Sequence, residues 1–589
     1  MTDLEFLRLS GPQKFLYKLR CFLKNLPKAI ANALKGLIAW FVGIFKGIGN
    51  ELYDIFDTYR KGDWKTRISY TVMGFGSCAR GQWLRGILFF AFQTIFNFYL
   101  FYPFIRTTGD AYSNGLGFLA KLMTLGTVET HKVGRKTVYG DNSFLIMLYG
   151  VLTIFLIIAF LYTWRVNVKQ NKLAQQYLDK GKKLKSSRED LHDMLDSQFH
   201  KTLLALPTLG VTIFTILPII FMILVAFTNY DNTHQPPGKL FTWVGMENFN
   251  TLLTVEKKNL TIELKENADG TVGMTINASN GDIISAKTDS KDAANAAVAL
   301  IADGSGEFAL EDNGDKTGLL TVYGDNGVPV ELAISGLTYV QTPSMANTFK
   351  QVLLWTLVWA FFATFLNYFL GMLVAIMINK KGIKFKKLWR TILVMTIAIP
   401  QFISLLYVSK MFAADGLING TLMSWGWIKE PLPFWTNPTW AKCTIIGINV
   451  WIGIPYLMLI ATGILMNIPA DLYESARIDG ANAFQTYMKI TLPYMLFVTG
   501  PYLLTSFTGN INNFNVIFLL SGGKPLSVGL AGNAGSTDLL ITWLYKMTVT
   551  DSNYKLAAVM GILVFVVCAV INLVVYNLIP SVKNEEDFQ

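Results

Sequence analysis

Charged residues are scarce in this chain, at 15% of 589 residues, whereas hydrophobic residues make up 52%. A soluble protein of ordinary composition carries about 25% charged residues. This shortage excludes a soluble globular protein and indicates a chain that lies largely in a membrane. The net charge of +11 does not indicate nucleic-acid binding, because the surplus Lys and Arg residues lie between apolar stretches, where they face anionic lipid.

Cysteine and histidine are also sparse, with four of each. Cys21, Cys78, Cys443 and Cys568 form no Cys-x-x-Cys pair, so neither a disulfide framework nor a zinc site is expected. The sequence lacks a Gly-x-x-x-x-Gly-Lys-[Ser/Thr] loop, and its apolar stretches contain no nucleophile–base pair. We therefore predict no enzyme, no metal site and no catalytic residues in this chain.

Eight stretches are long and apolar enough to cross about 30 Å of hydrocarbon. They lie near residues 86–105, 143–164, 203–228, 351–378, 388–412, 441–466, 493–520 and 556–579. The apolar run 36–45 is too short to span, and we predict an interfacial helix there. Because the first 28 residues carry many basic residues and no apolar core, no cleavable signal peptide is expected. The expected fold class is an all-α polytopic membrane protein with eight transmembrane helices.

The basic residues predict the orientation of these spans. With the N-terminus inside, 32 of the 51 Lys and Arg residues lie in cytoplasmic segments, namely 1–85, 165–202, 379–390, 467–492 and 580–589. The segment 229–350 instead carries 16 acidic residues against 8 basic ones. The positive-inside rule therefore places both termini in the cytoplasm and segment 229–350 outside the cell membrane.

These segments define the predicted domains. Residues 1–85 form a cytoplasmic amphipathic segment, 86–228 hold three spans with a polar connection 165–202 that is predicted to be helical over 169–198, and 351–579 hold five spans before the tail 580–589. Within segment 229–350, residues of about 255–343 alternate apolar and polar side chains between Asp-Gly and Asn-Gly turns, which is typical of β-hairpins. The Ala-rich run 289–302 predicts one helix. We expect a small inserted α+β domain there, outside the membrane.

The predicted cytoplasmic loop 468–493, called the coupling loop below, has the pattern of two helices separated by a turn. Asp471 followed by Glu474 predicts a capping box at the start of the first helix. Gly480 is placed to end that helix in a left-handed conformation. A second short helix leads to Pro493, which is predicted to open the next span at its first turn. A loop with two predicted helices on the cytoplasmic side of the membrane indicates a docking surface for another protein.

This loop resembles the EAA loop of ABC import permeases. Its matching residues, at the family spacing, are Glu474, Ala476, Gly480, Ile490, Leu492 and Pro493, with Ser475 in place of the family's second Ala. The run Phe-Thr-Asn-Tyr at 227–230, the eight spans and the external segment resemble the larger, MalF-type membrane subunits of maltose/maltodextrin importers. An amphipathic connecting helix that docks nowhere is the alternative interpretation of the loop.

The resemblance implies the type I ABC importer permease fold and a membrane-spanning subunit that moves a sugar, maltose/maltodextrin or a related oligosaccharide. It implies that the loop inserts into the partner ATPase and that Glu474 contacts a basic residue there. The implied partners are a second, MalG-type permease subunit, a MalK-type ATPase dimer that binds ATP and Mg, an extracytoplasmic sugar-binding protein and membrane lipid. No cofactor is implied in this chain.

Two spans carry neutral polar residues at helical spacing. One set is Asn449, Gly453 and Tyr456 with Ile452 beside them, and the other is Ser506, Asn510 and Asn513 with Gly509 alongside. Polar side chains in a bilayer seldom face lipid. Neutral amides, hydroxyls and a ring suit an uncharged polyol, whereas a charged solute would predict charged residues on these faces. Interhelical hydrogen bonds, with glycines for close packing, are the alternative.

The resemblance also implies that these positions contact the sugar. Seven of them match the family's maltose-contacting positions, namely Asn449, Ile452, Gly453, Tyr456, Ser506, Asn510 and Asn513. At Gly509 the family pattern has Phe, and at Ile397 it has Tyr, so two rings are missing. A permease for a different neutral solute therefore stays open. An ion-coupled secondary transporter is less favoured, because it would show repeated halves and ionisable residues within the spans.

Overall fold

The computed structural model describes residues 45–578, together with 35, 39, 42 and 43 before them. Short gaps within that range lie at 109–110, 128–130, 135, 139–141, 237–239, 254–259, 268–269, 279–282, 302–306, 314, 324–327, 341–342, 381 and 528. The predicted interfacial helix over 36–45 falls largely outside the described residues, as does the tail 580–589. The chain folds as two compact units, Met1–Pro218 and Ile219–Gln589.

Helices make up most of both units. In the first unit they are α1 (residues 45–61), α2 (Trp64–Ile68), α3 (Phe75–Cys78), α4 (Trp83–Phe101), α5 (Gly115–Met123), α6 (Ser143–Asp179) and α7 (Ser187–Leu195). Helix α8 (Phe199–Val225) continues from the first unit into the second. In the second unit they are α9 (Glu247–Leu253), α10 (Lys291–Leu300), α11 (Met345–Asn379), α12 (Lys386–Ala398), α13 (Gln401–Met411), α14 (Leu417–Ser424), α15 (Pro438–Leu465), α16 (Ala470–Ile478), α17 (Ala483–Ile511), α18 (Phe514–Leu520), α19 (Leu540–Tyr545) and α20 (Tyr554–Leu578).

Seven of the described helices are long and apolar enough to cross a membrane, namely α4, α6, α8, α11, α15, α17 and α20. Helices α12 and α13 form a bent pair, which brings the number of crossings to eight if the pair is one span. The predicted all-α polytopic class is confirmed.

The fifth predicted span, near residues 388–412, is sharply bent. Helices α12 and α13 meet at 93° across Ile399 and Pro400. Ile399 has extended backbone angles, as expected for the residue before a proline. Because Pro400 has no N–H, it cannot continue the hydrogen-bond ladder of α12.

The seventh predicted span, 493–520, differs at both ends. Helix α17 begins ten residues earlier, at Ala483, and ends at Ile511. A wide turn with π-helical hydrogen bonding, Tyr487–Thr491, precedes Pro493 and keeps the helix continuous. Such a turn shifts the hydrogen-bond pattern at the point where proline lacks a donor. Pro493 lies in the first turn of the α-helical segment Leu492–Ile511, as predicted, and the wide turn joins this segment to the preceding one in a longer helix.

Polar side chains hold the first unit together along α6. The guanidinium of Arg80 is only 1% exposed, and its Nη2 donates to Asp63 Oδ1 at 2.6 Å and to Thr66 Oγ1 at 2.7 Å. Its Nη1 donates to Asn171 Oδ1 on α6 at 2.7 Å. A charge removed from water requires such compensation.

The connection after the second span is not one helix over 169–198 as predicted. Helix α6 continues to Asp179, Gly181 adopts a positive φ of +69°, and α7 starts after Ser186. The Ser186 hydroxyl and the Glu189 carboxylate form a capping box at that start.

Four short strands form two hairpins in the first unit, β1 (Ile105–Thr108) with β2 (Ala111–Ser113) and β3 (His131–Val133) with β4 (Lys136–Val138). The second unit holds an antiparallel sheet of six strands, β5 (Leu260–Glu266), β6 (Val272–Ala278), β7 (Ile283–Thr288), β8 (Glu307–Asp312), β9 (Gly318–Tyr323) and β10 (Val330–Val340). Its strand order is β5-β6-β7-β10-β9-β8. Helix α10 packs on the sheet, where its Ala294 and Ala297 join a core with Met274, Ile276 and Leu320. The predicted hairpins and the α+β character of the insert are confirmed.

The helices of the second unit pack around two apolar clusters. The first consists of Trp355, Trp359, Ala363, Leu405, Ile445, Ile448, Val516, Ile517, Leu520 and Leu539. The second consists of Tyr368, Met372, Ala375, Ile378, Leu457, Met458, Ala461, Met495 and Leu503. Helices α11 and α15 contribute to both clusters, so each helix passes from one cluster to the other along its length.

Candidate functional site

Neutral polar side chains, together with one glycine, lie on α11 and α15 where these helices pass between the two apolar clusters, and on α17 beyond its residues in the second cluster. We call them the polar layer, and its members are Thr364, Asn367, Asn449, Gly453, Tyr456, Ser506 and Asn510. On α15, for example, Ile448 belongs to the first cluster and Leu457 to the second. The layer therefore interrupts the apolar core at one level of three neighbouring helices.

Helix α11 is joined to α17 within this layer by hydrogen bonds. The Asn510 Nδ2 donates to Thr364 Oγ1 at 2.9 Å, and the Trp359 indole N–H donates to the Asn510 carbonyl at 3.1 Å. The Asn513 Nδ2 donates to Asn510 Oδ1 at 3.3 Å, while Asn513 Oδ1 accepts from the N–H of Val516 and caps α18. Asn510 and Asn513 therefore act together at the break between α17 and α18.

Helix α11 also meets α15 in this layer, through Asn367 and Gly453. A Cβ built on Gly453 would lie 2.4 Å from Asn367 Nδ2, closer than non-bonded atoms approach. The Asn367 side chain is buried, and its Oδ1 has no hydrogen-bond partner among the described residues. Gly453 therefore permits the close approach of α15 to a buried amide, which would have to shift if a side chain were added here.

The remaining predicted residues differ in exposure. Asn449 is 8% exposed, and its side chain makes no hydrogen bond within the described part of the chain. Tyr456 is 53% exposed, Ser506 is half-buried, and Ile452 packs against the first apolar cluster. Asn367 of α11 lies against Gly453 of α15, and Thr364 of α11 accepts a hydrogen bond from Asn510 of α17. Helix α11 thus connects the two polar stripes that the sequence predicts on α15 and α17.

Gly509 is placed differently from its neighbours. A Cβ on Gly509 would meet no atom within 4 Å, and the residue borders a groove of about 710 Å³ with Thr505, Thr508 and Asn572. It does not contact Thr364 or Asn367. The structure therefore does not bring Gly509 into the group of side chains that face α11.

Thr364 and Asn367 are members of the layer that the sequence does not predict. They lie on α11 at and just after a wide turn with π-helical hydrogen bonding, Phe362–Leu366. Such turns occur often at functional sites. The only indication in the sequence is an Asn within an apolar span of 35 residues. The contacts that place Thr364 and Asn367 in the layer are made with Asn510 and Gly453, which are distant in sequence.

The polar layer carries no charge. In the sequences of α11, α15 and α17 the charged residues are Lys350, Lys442 and Lys489, each within the first two turns of its helix. The layer itself offers amides, hydroxyls and one exposed aromatic ring. Such groups donate and accept hydrogen bonds with a neutral polyhydroxylated solute and provide no counter-ion for a charged one.

In the coupling loop, α16 ends as the sequence predicts. Gly480 has a φ of +73°, the N–H of Ala481 donates to the Ala476 carbonyl, and the N–H of Gly480 donates to the Arg477 carbonyl. These two bonds form a Schellman motif, in which glycine avoids the steric cost of a left-handed conformation.

The predicted capping box at the start of α16 is wrong. Pro469 occupies the capping position and no side chain caps the helix there, while Asp471 lies in the first turn. The proline fixes the backbone before the helix, and Asp471 favours the positive end of the helix dipole.

The outer surface of the coupling loop is apolar. Ile478 is 86% exposed and Phe484 is 71% exposed, and the carboxylate of Glu474 also faces outward. Ser475 is exposed, whereas Ala476 is buried. Large exposed apolar side chains next to a charge are typical of a protein-binding surface.

The second half of the coupling loop is part of α17. Ile490 and Leu492 are half-buried in and after the wide turn Tyr487–Thr491. The hydroxyls of Tyr473 and Thr491 lie 3.1 Å apart in a hydrogen bond that joins α16 to α17. The two helices of the loop are therefore connected by a side-chain contact as well as by the Gly480 turn.

Comparisons with known proteins show what this chain is similar to. A family model described as "Binding-protein-dependent transport system inner membrane component" matches residues 367–584. The galactooligosaccharides transport system permease protein GanP of Bacillus subtilis (strain 168) is 30% identical over 516 residues, which cover 87% of this chain and 97% of the relative. The maltodextrin transport system permease protein MalC of Streptococcus pneumoniae (strain ATCC BAA-255 / R6) is 27% identical over 533 residues, covering 89% and 97%. The maltose/maltodextrin transport system permease protein MalF of Escherichia coli (strain K12) is 35% identical over 233 residues, covering 38% and 45%.

Proposed function

This chain belongs to the family of ABC importer permeases, the inner-membrane components of binding-protein-dependent transport systems, and we propose that it moves a neutral oligosaccharide through its polar layer. The solute class is maltose/maltodextrin or a related oligosaccharide. Relatives named for maltodextrin and galactooligosaccharide transport support this class. The observation that carries the proposal is the uncharged polar layer between two apolar clusters.

In this proposal the sugar hydroxyls exchange water for side chains of the layer. Asn449, Ser506 and Asn510 supply amides and a hydroxyl, and the exposed ring of Tyr456 supplies a stacking surface. Ile452 and Gly453 shape the wall of α15, and Asn513 orients Asn510. Gly509 leaves open space beside the layer, which suits a solute of greater width.

The coupling loop is proposed to dock into the ATPase. Its exposed apolar residues Ile478 and Phe484 would enter a cleft of the partner, and Glu474 would contact a basic residue there. The Gly480 turn sets the angle between the two loop helices, and Ser475, Ala476, Ile490, Leu492 and Pro493 complete the motif. ATP and Mg are bound by a MalK-type ATPase dimer, so the energy for transport arrives through this loop.

Two further partners complete the proposal. A second, MalG-type permease subunit is proposed to pair with this chain in the membrane. An extracytoplasmic sugar-binding protein would deliver the solute, and the insert of about 255–343 is proposed to contact it. Both termini would lie in the cytoplasm, as the distribution of basic residues favours.

Solute charge tests this function directly. Proteoliposomes that contain the chain with its partners should take up a neutral glucose oligosaccharide and should reject an acidic uronate oligosaccharide of the same length. An uncharged layer cannot compensate a carboxylate, and burying an unpaired charge is strongly unfavourable. Equal uptake of the two oligosaccharides would contradict a neutral-sugar pathway through this layer.

A further inference from the structure

A cavity of about 580 Å³ lies behind the coupling loop, between the loop and the ends of α11 and α15. Ile376 and Leu465 line its apolar part. Lys380, Arg477 and the hydroxyl-bearing side chains of Tyr473, Tyr487 and Thr491 line its polar part. No acidic residue lines the cavity within the described part of the chain. In the topology proposed above, the cavity opens at the cytoplasmic surface of the membrane.

Four cations gather around this cavity and its lining residue Asn379. The Lys386 ammonium donates to the Asn379 carbonyl at 3.2 Å, and Arg390 Nη2 donates to Asn379 Oδ1 at 2.9 Å. Lys380 follows Asn379 in the chain, and Arg477 faces the cavity from α16. The Arg390 Nε atom is buried and has no hydrogen-bond partner among the described residues.

Lys386 and Arg390 are half-buried, whereas Lys380 and Arg477 are exposed, and the four differ from several cations of the molecule that are held in ion pairs. Arg80 pairs with Asp63, Arg85 with Asp190, and Lys546 with Asp538. None of Lys380, Lys386, Arg390 and Arg477 forms an ion pair with any described residue, although α16 also carries acidic side chains. Half-buried cations such as Lys386 and Arg390 are stabilised by nearby negative charge, and exposed cations such as Lys380 and Arg477 attract it, so negative charge from outside the chain is expected to bind here.

We propose that this cavity binds the phosphodiester headgroup of an anionic phospholipid from the cytoplasmic leaflet. Lys380 and Arg477 would pair with the phosphate, and the Tyr487 hydroxyl would donate to it. The first acyl carbons would lie against Ile376 and Leu465. A cavity lined by both apolar and cationic side chains fits a lipid better than free phosphate or an acidic side chain, neither of which uses the apolar part of the lining.

The bound headgroup would hold the coupling loop in position, a consequence that rests on the proposed function. Tyr473 and Arg477 lie on α16, whereas Tyr487 and Thr491 lie on α17, so both loop helices line the cavity. Lys380 lies directly after α11, which carries part of the polar layer. The lipid thus contacts the loop that receives the ATPase and the end of a helix that lines the solute site.

Binding of phosphatidylglycerol to the purified full chain tests the proposal without any transport assay. Native mass spectrometry would count the phosphatidylglycerol and phosphatidylcholine molecules retained from mixed micelles. We expect preferential retention of phosphatidylglycerol, weakened about fivefold in Lys380→Gln and in Arg477→Gln, which remove the two cations that line the cavity. Lys384→Gln, in the same basic loop but outside the cavity lining, is the matched control and should retain the wild-type affinity. Unchanged phosphatidylglycerol retention in both cavity variants would overturn the site.

Two further experiments distinguish a phospholipid in the cavity from free phosphate and from acidic side chains of the ATPase. Inorganic phosphate added to the micelles should not displace the bound phosphatidylglycerol. Displacement that occurs in the wild-type chain and is lost in Lys380→Gln would show that the cavity binds free phosphate instead. If the cavity variants lose binding of the purified ATPase but retain phosphatidylglycerol normally, acidic side chains of the ATPase occupy the cavity and the lipid proposal is wrong. Because lipid retention is measured on the isolated chain, failure of the proposed transport function would leave it unchanged.

Discussion

The Asn510 side-chain amide donates a hydrogen bond of 2.9 Å to the Thr364 hydroxyl, across 146 residues of sequence. This bond joins α17 to α11 at the level where the two apolar clusters separate. Asn367 on the same helix contacts Gly453 of α15, so α11 connects both predicted polar stripes. The proposed solute site therefore involves three helices, and the following variants separate a role in solute binding from a role in packing.

Replacing Tyr456 tests its role in solute binding. Its side chain is half exposed, so Tyr456→Ala should leave the stability of the chain nearly unchanged while it strongly reduces sugar uptake. Tyr456→Phe keeps the ring and should lose only the hydroxyl contribution, about 1–3 kcal/mol if a bound sugar group is left unpaired. Trp451→Ala removes a more exposed ring from another face of α15 and serves as the control. Equal uptake defects in Tyr456→Ala and Trp451→Ala would contradict a specific role for Tyr456.

Replacing Gly453 tests the close contact with Asn367. Gly453→Ala places a methyl group 2.4 Å from the buried amide and should lower the free energy of unfolding by about 1–3 kcal/mol. Gly447→Ala, on the same helix with open space around its Cβ, should be nearly neutral. Thermal unfolding of both variants in detergent measures the difference. Combining Gly453→Ala with Asn367→Ala should restore part of the lost stability, and additive effects would show that the two residues do not interact.

Replacing residues of the coupling loop tests docking to the ATPase. Glu474→Lys reverses an exposed charge, and Gly480→Pro is incompatible with the φ of +73° at the Schellman turn. Both should abolish uptake and co-purification with the ATPase while the chain still inserts in the membrane. Glu474→Gln keeps the side-chain shape and should show an intermediate loss of affinity. Normal ATPase binding in Glu474→Lys would remove Glu474 from the interface.

Deleting the insert tests its contact with the binding protein. Helix α9 ends at Leu253 and packs against α11, which begins at Met345, so removing 255–343 through a short Gly/Ser bridge preserves that contact. The variant should assemble in the membrane but bind the sugar-binding protein more weakly, as measured by surface plasmon resonance on nanodiscs. Wild-type affinity together with wild-type transport would leave the insert without a docking role.

Features that depend on local sequence were predictable. Apolar length predicts the spans, Asp-Gly and Asn-Gly turns predict the hairpins of the sheet, and Gly480 predicts the end of α16. The predictions that differ from the structure concern residue types, such as proline, that occur in more than one backbone arrangement. Pro400 bends a span, whereas Pro493 lies within a continuous helix because a wide turn precedes it. Thr364 and Asn367 were missed because their meaning comes from distant partners, which no local period reveals.

The most direct test of the central claim is a paired measurement on the double variant Asn510→Ala/Tyr456→Ala. Sugar uptake and ATP hydrolysis stimulated by the loaded binding protein would be measured in the same proteoliposomes. We predict a severe loss of uptake with substantial hydrolysis remaining, because the polar layer binds the solute while the coupling loop receives the ATPase. Uptake at the wild-type rate would show that the solute does not pass these residues, and equal loss of expression, uptake and hydrolysis would assign them to packing.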